Sequence, residues 1–316
     1  MRGQLALTPR YVFLFNMDRR SFLGTGFLVT GGVLISPTLL AAENTKRLKK
    51  VTILHTNDTH SNIDPFPDNH AKFPGMGGVE KRMELIEKIR SEEEQVLLLD
   101  SGDIFQGTPY FNKYKGVLEM KCMSALGYDA ATMGNHDFDG GMDGFLKATE
   151  FADFSFLCAN YDFTDTLLNK KTQATKVFKK GGVKIGVFGV GIELKGLVPE
   201  TIYGKTQYLD PIKMANACAL ELKKGGCDLI ICLSHLGYEY GDAQVSDKVL
   251  AANSEHIHLI LGGHTHTFLT EPTQVKNRAG NTVLINQTGW GGVHLGRLDF
   301  YVDDKLFAKK EMVVVQ

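Results

Sequence analysis

Five times along the chain, an apolar run that reads as a β-strand stops at a cluster of Asp, Asn or His. Val51–Leu54 leads to Asp58-Thr59-His60, Val96–Leu99 to Ser101-Gly102-Asp103-Ile104, and Ala130–Met133 to Gly134-Asn135-His136-Asp137-Phe138-Asp139. Leu229–Leu233 leads to Ser234-His235-Leu236, and Ile257–Leu261 to Gly262-Gly263-His264-Thr265-His266. Short apolar runs bounded by turn residues mark buried strands. Each strand end thus carries one polar loop. A lone Asn-His-Asp is usually a turn, and a single His after a strand usually serves packing. Packing does not ask for such residues at strand after strand, so the five clusters point to one chemical centre.

The residue types say which chemistry. Two divalent cations a few ångströms apart need a carboxylate that can bridge them, with neutral imidazoles and an amide oxygen to complete each shell without excess charge. Asp103 has the position to bridge. Asp58, His60 and His266 would hold one metal, and Asn135, His235 and His264 the other. Such a pair clamps a phosphate and activates a water for in-line attack. Mixed nitrogen and oxygen donors suit zinc, manganese, cobalt or iron, and ligand type does not choose among them.

These five motifs, in this order, resemble the calcineurin-like metallophosphoesterase superfamily. The run Leu54-His55-Thr56-Asn57-Asp58-Thr59-His60, with Asn135-His136-Asp137-Phe138-Asp139, is similar to its 5′-nucleotidase and UDP-sugar hydrolase branch, and the likeness extends from Lys50 to the C-terminus. The resemblance implies a dinuclear site on the residues just named. It also implies that His136 and Asp139 are a catalytic pair that stabilises the transferring phosphoryl group and assists the leaving oxygen. That branch commonly has Glu where Asp137 stands. His55, His256, His258 and His294 fall outside the pattern and read as structural or solvent-facing.

Organisation along the chain fits the same reading. Val79, Met83, Ile86 and Ile89 recur at helical spacing from about Val79 to Glu94. Asp210-Pro211 is an N-cap followed by a first-turn proline, and Gly225-Gly226 ends that helix. Strand and helix alternate to about Leu261, and the chain then turns strand-rich at Val283–Asn286, Gly296–Val302 and Met312–Val315. This fits an α/β domain with two sheets face to face and helices outside. The resemblance implies the four-layer α/β/β/α sandwich of two mixed sheets that is the metallophosphatase fold.

At the N-terminus, Asp18-Arg19-Arg20-Ser21-Phe22-Leu23-Gly24 resembles a twin-arginine export motif, and the apolar stretch Phe22–Ala42 ends in Ala41-Ala42. Residues 1–42 are therefore expected to be a signal segment and 43–316 the metallophosphatase domain, with translation starting at Met1 or Met17. The expected location is periplasmic or extracellular, and membrane contact arises only if the segment stays uncleaved. The glycines at 24, 26, 31 and 32 make it a poor permanent span. The net charge of −1 becomes −4 once Arg2, Arg10, Arg19, Arg20 and Asp18 leave with the segment, so no basic field calls for nucleic acid. Cys122, Cys158, Cys218, Cys227 and Cys232 sit in apolar surroundings without metal spacing and read as buried thiols.

The expected activity is hydrolysis of phosphomonoesters, with 5′-nucleotides foremost. Cyclic nucleotides, UDP-sugars and sulfur esters are the alternatives that one such site can serve. In the branch it resembles, a separate C-terminal domain stacks aromatic residues on the base. This chain stops at Gln316, so it is expected either to accept many monoesters with similar efficiency or to work with a separately encoded partner carrying that domain. A selective chain would need its own base pocket, built from loops such as Asp64–Gly78 or Glu193–Tyr203.

Overall fold

Alternate side chains along the central strands face two different cores. Ile53, Leu97 and Leu99 pack with Ile231, Leu233 and Leu261 in one fully buried cluster. Their neighbours Leu54 and Leu98 face a second cluster with Ile86, Met120 and Phe145, while Ile230 and Cys232 face a third with Ala219 and Leu222. Strands buried on both faces need covering layers on each side, which accounts for their continuous apolar sequences.

The structure is a computed structural model that describes residues 49–302 together with the backbone of strands at Val12–Leu14 and Leu306–Val314. In chain order the strands are β1 (Val12–Leu14), β2 (Lys49–Thr56), β3 (Val96–Asp100), β4 (Ala130–Ala131), β5 (Ser155–Phe156), β6 (Tyr161–Asp162), β7 (Thr175–Lys180), β8 (Val183–Gly191), β9 (Gln207–Tyr208), β10 (Leu229–His235), β11 (Leu259–Leu261), β12 (Thr273–Lys276), β13 (Thr282–Asn286), β14 (His294–Val302) and β15 (Leu306–Val314). The first sheet runs β1-β15-β14-β2-β3-β4-β5, and the second β12-β13-β11-β10-β8-β7. In the first, β2 to β5 are parallel and β14 joins antiparallel, with Gly296 opposite His55. In the second, β8, β10, β11 and β13 are parallel, with β7 and β12 antiparallel at the edges. The clusters Leu54/Ile86 and Ile230/Leu222 fill the spaces between each sheet and its helices. The expected four-layer sandwich of two mixed sheets is present.

Helices α1 (Val79–Glu92), α2 (Pro109–Tyr114), α3 (Val117–Leu126) and α4 (Gly141–Thr149) lie in the first half, and α5 (Glu200–Tyr203), α6 (Pro211–Lys224) and α7 (Asp247–Ala252) in the second. Asp210 caps α6 by accepting from Ile212 and Lys213 N–H groups. Helix α1 ends two residues before Glu94, where Glu93 turns to extended backbone. The strand expected at Ala130–Met133 is only two residues long, Ala130–Ala131. Of the proposed signal segment, only the Val12–Leu14 backbone, antiparallel to β15, is described, and the rest of residues 1–42 lies outside the described residues. Cys158, Cys218, Cys227 and Cys232 are buried thiols, and Cys122 is half-buried. Among the described residues, no helix is long and apolar enough to cross a membrane.

Candidate functional site

All five polar loops leave the C-terminal ends of parallel strands, three from the first sheet (β2, β3, β4) and two from the second (β10, β11). Parallel strands direct their C-terminal loops to one edge, and stacking two sheets puts both edges together. Two groups of ligand atoms result: Asp58, His60 and His266, and Asp103, His235 and His264, each within 4.8 Å of one another. The first holds the three residues expected for one metal; the second holds Asp103, expected as the bridge, with His235 and His264, while Asn135 was expected as the third ligand there. Asp103 belongs to the second group and also faces the first, its Oδ2 at 3.1 Å from His235 Nε2 and 3.8 Å from His60 Nε2. Its Oδ1 accepts from the His136 N–H at 2.8 Å. Asn135 adjoins the second group, with Oδ1 at 2.8 Å from His264 Nδ1. His136 and Asp139 meet through Nδ1 and Oδ2 at 2.8 Å, and the His136 ring lies edge-on to His60 at 5.3 Å.

Backbone conformation aims these side chains. Asp58, His60, Asp103, His264 and His266 all have positive φ, between 46° and 70°. Non-glycine residues rarely adopt this left-handed geometry, and it concentrates at functional turns. Two imidazoles are also held from behind. His235 Nδ1 lies 2.7 Å from the Ser101 carbonyl and His60 Nδ1 lies 3.2 Å from that of Phe105. A carbonyl accepts the Nδ1 proton, which leaves Nε2 as a lone pair directed into the site.

The donor set suits cations. His60 Nε2 and His266 Nε2 converge to 3.1 Å. His235 Nε2 is fully buried and makes no hydrogen bond, although Asp103 lies 3.1 Å away. Clustered lone pairs and carboxylate oxygens repel one another, and a divalent cation in each group satisfies them together.

Charge is unevenly distributed. Burial works against a charged His235, yet the Asp103 carboxylate holds its pKa up to about 10, so a cation binding at Nε2 displaces a proton there. Burial and the His235 charge push His264 down to about 4. The Asp139 hydrogen bond raises His136, the one imidazole here with a carboxylate partner outside both triads.

Several supporting residues were not foreseen. Asp137, fully buried, accepts from the N–H groups of Asp103, Ile104, Phe105 and Gly134, tying the β3 loop to the β4 loop. Burial and the Asp103 charge push its carboxyl up to about 7, against those four donors. Asp247 accepts from Ser234 Oγ at 2.5 Å beneath the β10 end. Its separation from the motif in sequence hid it. Gly134 has no room for a side chain, since a Cβ would lie 2.2 Å from Asp103 Oδ1 and 2.6 Å from His235 Nε2. Its place in the Gly-Asn-His-Asp run was the available signal. The four histidines left out of the site stay out of both triads. His55 is buried against the Asn286 amide at 2.7 Å, His258 Nδ1 accepts from Ile230 N–H, and His294 packs edge-on to Phe268. His256 takes a positive φ of 64° just before β11.

The profile of calcineurin-like phosphoesterases matches residues 51–268. With 218 of 316 residues inside that match, the chain belongs to the calcineurin-like metal-dependent phosphoesterases. It is similar to 5′-nucleotidases. It is 32% identical to snake venom 5′-nucleotidase of Gloydius brevicauda, over 88% of this chain and 49% of that protein. It is 31% identical to 5′-nucleotidase of Rattus norvegicus, over 84% and 49%. Among solved structures, a 5′-nucleotidase precursor from Thermus thermophilus superposes with a TM-score of 0.75 at 32% identity, covering 84% of this chain and 54% of that one. The chain spans about half the length of the curated relatives it matches.

Proposed function

We propose that this chain hydrolyses phosphomonoesters, with 5′-nucleotides as the principal substrates, on a dinuclear centre. The observation that carries this is the meeting of two His/Asp triads at Asp103, whose Oδ2 lies 3.1 Å from His235 in its own triad and 3.8 Å from His60 in the other, beside the His136–Asp139 pair. When bound, two divalent cations supply Lewis-acid polarisation of the phosphoryl group and acidify the attacking water. Asp58, His60 and His266 would hold one, Asn135, His235 and His264 the other, and Asp103 both.

The chain's own residues do the rest. Asp139 fixes the His136 ring through Nδ1 and leaves Nε2 to donate to a phosphoryl or leaving-group oxygen. The His136 side chain is 37% exposed whereas His235 is fully buried, as befits a group that meets substrate and one that only ligates. Asp137 sets the loop that aims Asp103 and His136. The names of the relatives, 5′-nucleotidases from venom, mammal and bacterium, support nucleotides as the substrate class. We also propose export through the twin-arginine motif at Arg19-Arg20.

The test is a hydrolysis panel on purified protein loaded separately with zinc, manganese, cobalt or iron. It covers nucleoside 5′-monophosphates, 2′,3′-cyclic nucleotides, UDP-glucose and aryl phosphates. Monophosphate turnover well above that of the cyclic and diphosphate substrates is expected. A preference for cyclic diesters or UDP-sugars would replace this reading.

A further inference from the structure

Beside the metal triads, the structure brings together an aromatic wall that the reaction as described does not use. A cavity of about 500 Å³ is lined by His70, Lys72, Phe73, His266, Phe268 and Trp290. Trp290 lies nearly parallel to the His266 ring, 5.9 Å between centroids, and Phe73 meets Trp290 at 6.3 Å and Phe268 at 5.5 Å. His266 Nε2 is 3.4 Å from Asp58 Oδ1, so this cavity and the ligand cluster share a wall. A neighbouring cavity of about 510 Å³, between Asp64–Pro67 and Tyr110–Tyr114, touches none of the ligand residues.

Both sides of the wall are built features. The segment from Asp64 to Gly78 has no helix or strand, yet its ends are closed by Phe66 N–H to Met76 O at 2.8 Å and Val79 N–H to Ile63 O at 2.8 Å. It presents Phe66, His70 and Phe73 to one side. Opposite stands Gly289-Trp290-Gly291-Gly292, whose three glycines have φ of 79°, 66° and 65°. A Cβ on Gly289 would lie 2.1 Å from the Phe268 ring, and one on Gly291 would lie 2.8 Å from the Phe66 ring. The glycines therefore let aromatic rings lie against backbone on either side of Trp290. The same turn is pinned to the first ligand loop through Gly291 N–H to Asp58 O at 2.8 Å.

We propose that this cleft is a subsite for the planar aromatic part of the substrate's leaving group, a nucleobase, while its phosphate sits on the triads. The volume is in the range of small-molecule sites, the walls are aromatic, and Lys72 offers a polar rim. On this proposal the domain has its own base-recognition surface, the alternative to unselective hydrolysis in which the Asp64–Gly78 loop builds the pocket. The inference rests on the phosphomonoesterase reading for its substrate but not for its test.

Trp290 is the chain's single tryptophan, so intrinsic fluorescence reports on the cleft without turnover. Adenosine, which has no phosphate, is titrated against the full chain, and AMP is compared with ribose 5-phosphate in the hydrolysis assay. Saturable quenching by adenosine is expected, with competitive inhibition of ribose 5-phosphate hydrolysis. Phe73→Ala, which keeps the reporter, should weaken adenosine binding and raise the KM for AMP by about tenfold, far more than that for ribose 5-phosphate. Phe73→Leu, which keeps the apolar volume but removes the ring face, gives the same split if the alanine variant does not fold. No quenching, together with equal kcat/KM for AMP and ribose 5-phosphate, overturns the subsite while the phosphatase stands. Quenching by adenosine without hydrolysis of any monophosphate overturns the phosphatase reading and keeps the subsite.

Discussion

Asp103 and His136 sit 2.8 Å apart through a backbone hydrogen bond, yet different work is expected of them. Asp103 offers Oδ2 to both triads, so Asp103→Asn removes the one charge they share. Elemental analysis of that variant should find fewer than two metal equivalents and activity should vanish, while circular dichroism keeps the native spectrum. Two tightly held metals with normal turnover would end the bridging assignment. His136 contacts neither triad through a ligand atom; its Nδ1 is taken by Asp139. His136→Asn should therefore keep both metals and lose about 10²–10⁴ in kcat. Loss of metal along with activity would make His136 a ligand instead.

Among the elements, the junction of β10 and β11 carries a titration of its own. His258 is half-buried just before β11, and its Nδ1 accepts from the Ile230 N–H at 3.0 Å. Burial, with the Lys223 and His256 charges nearby, pushes its pKa down to about 4. The unfolded chain takes up this proton near the ordinary value of 6.5, so the unfolded state binds more protons between the two values. The contribution is therefore present above about 6.5 and is lost as pH falls toward 4. Between pH 7 and pH 5, urea unfolding should show wild type losing about 2 kcal/mol more than His258→Gln. Equal losses would mean that His258 is already charged in the folded protein.

At the scale of the whole molecule, the proposed export signal precedes a domain whose two triads and their Asn135 neighbour draw on five strand ends, so the site exists only once both sheets have formed. Twin-arginine export suits such a passenger, because it moves folded protein. Replacing Arg19 and Arg20 together by Lys should leave unexported precursor in the cytoplasm of an expressing bacterium, scored by fractionation. Undiminished export of the double variant would assign the general secretory route.

The five polar loops that meet at the site were legible in the chain because each follows its own strand, and a strand end is a local property written in a few apolar residues; the roles of His136 and Asp139 came from the resemblance. The α/β alternation was legible for the same reason, with the two periods of strand and helix visible up to Leu261, and the resemblance implied the four-layer sandwich. Other features were set only by tertiary structure. Asp137 joins two loops through four backbone N–H groups, and nothing about an Asp in sequence tells which amides it will meet. Gly134 must be glycine because Asp103 and His235 arrive from other strands to within 2.2 Å and 2.6 Å of where its Cβ would stand. Phe73 and Trp290 are far apart in the chain and meet beside His266 only because the 64–78 loop and the turn after β13 flank the same strand end. Local hydrophobic patterning decides which strand ends carry chemistry. What faces them across space depends on the packing of residues far apart in the chain, which no short stretch of sequence encodes.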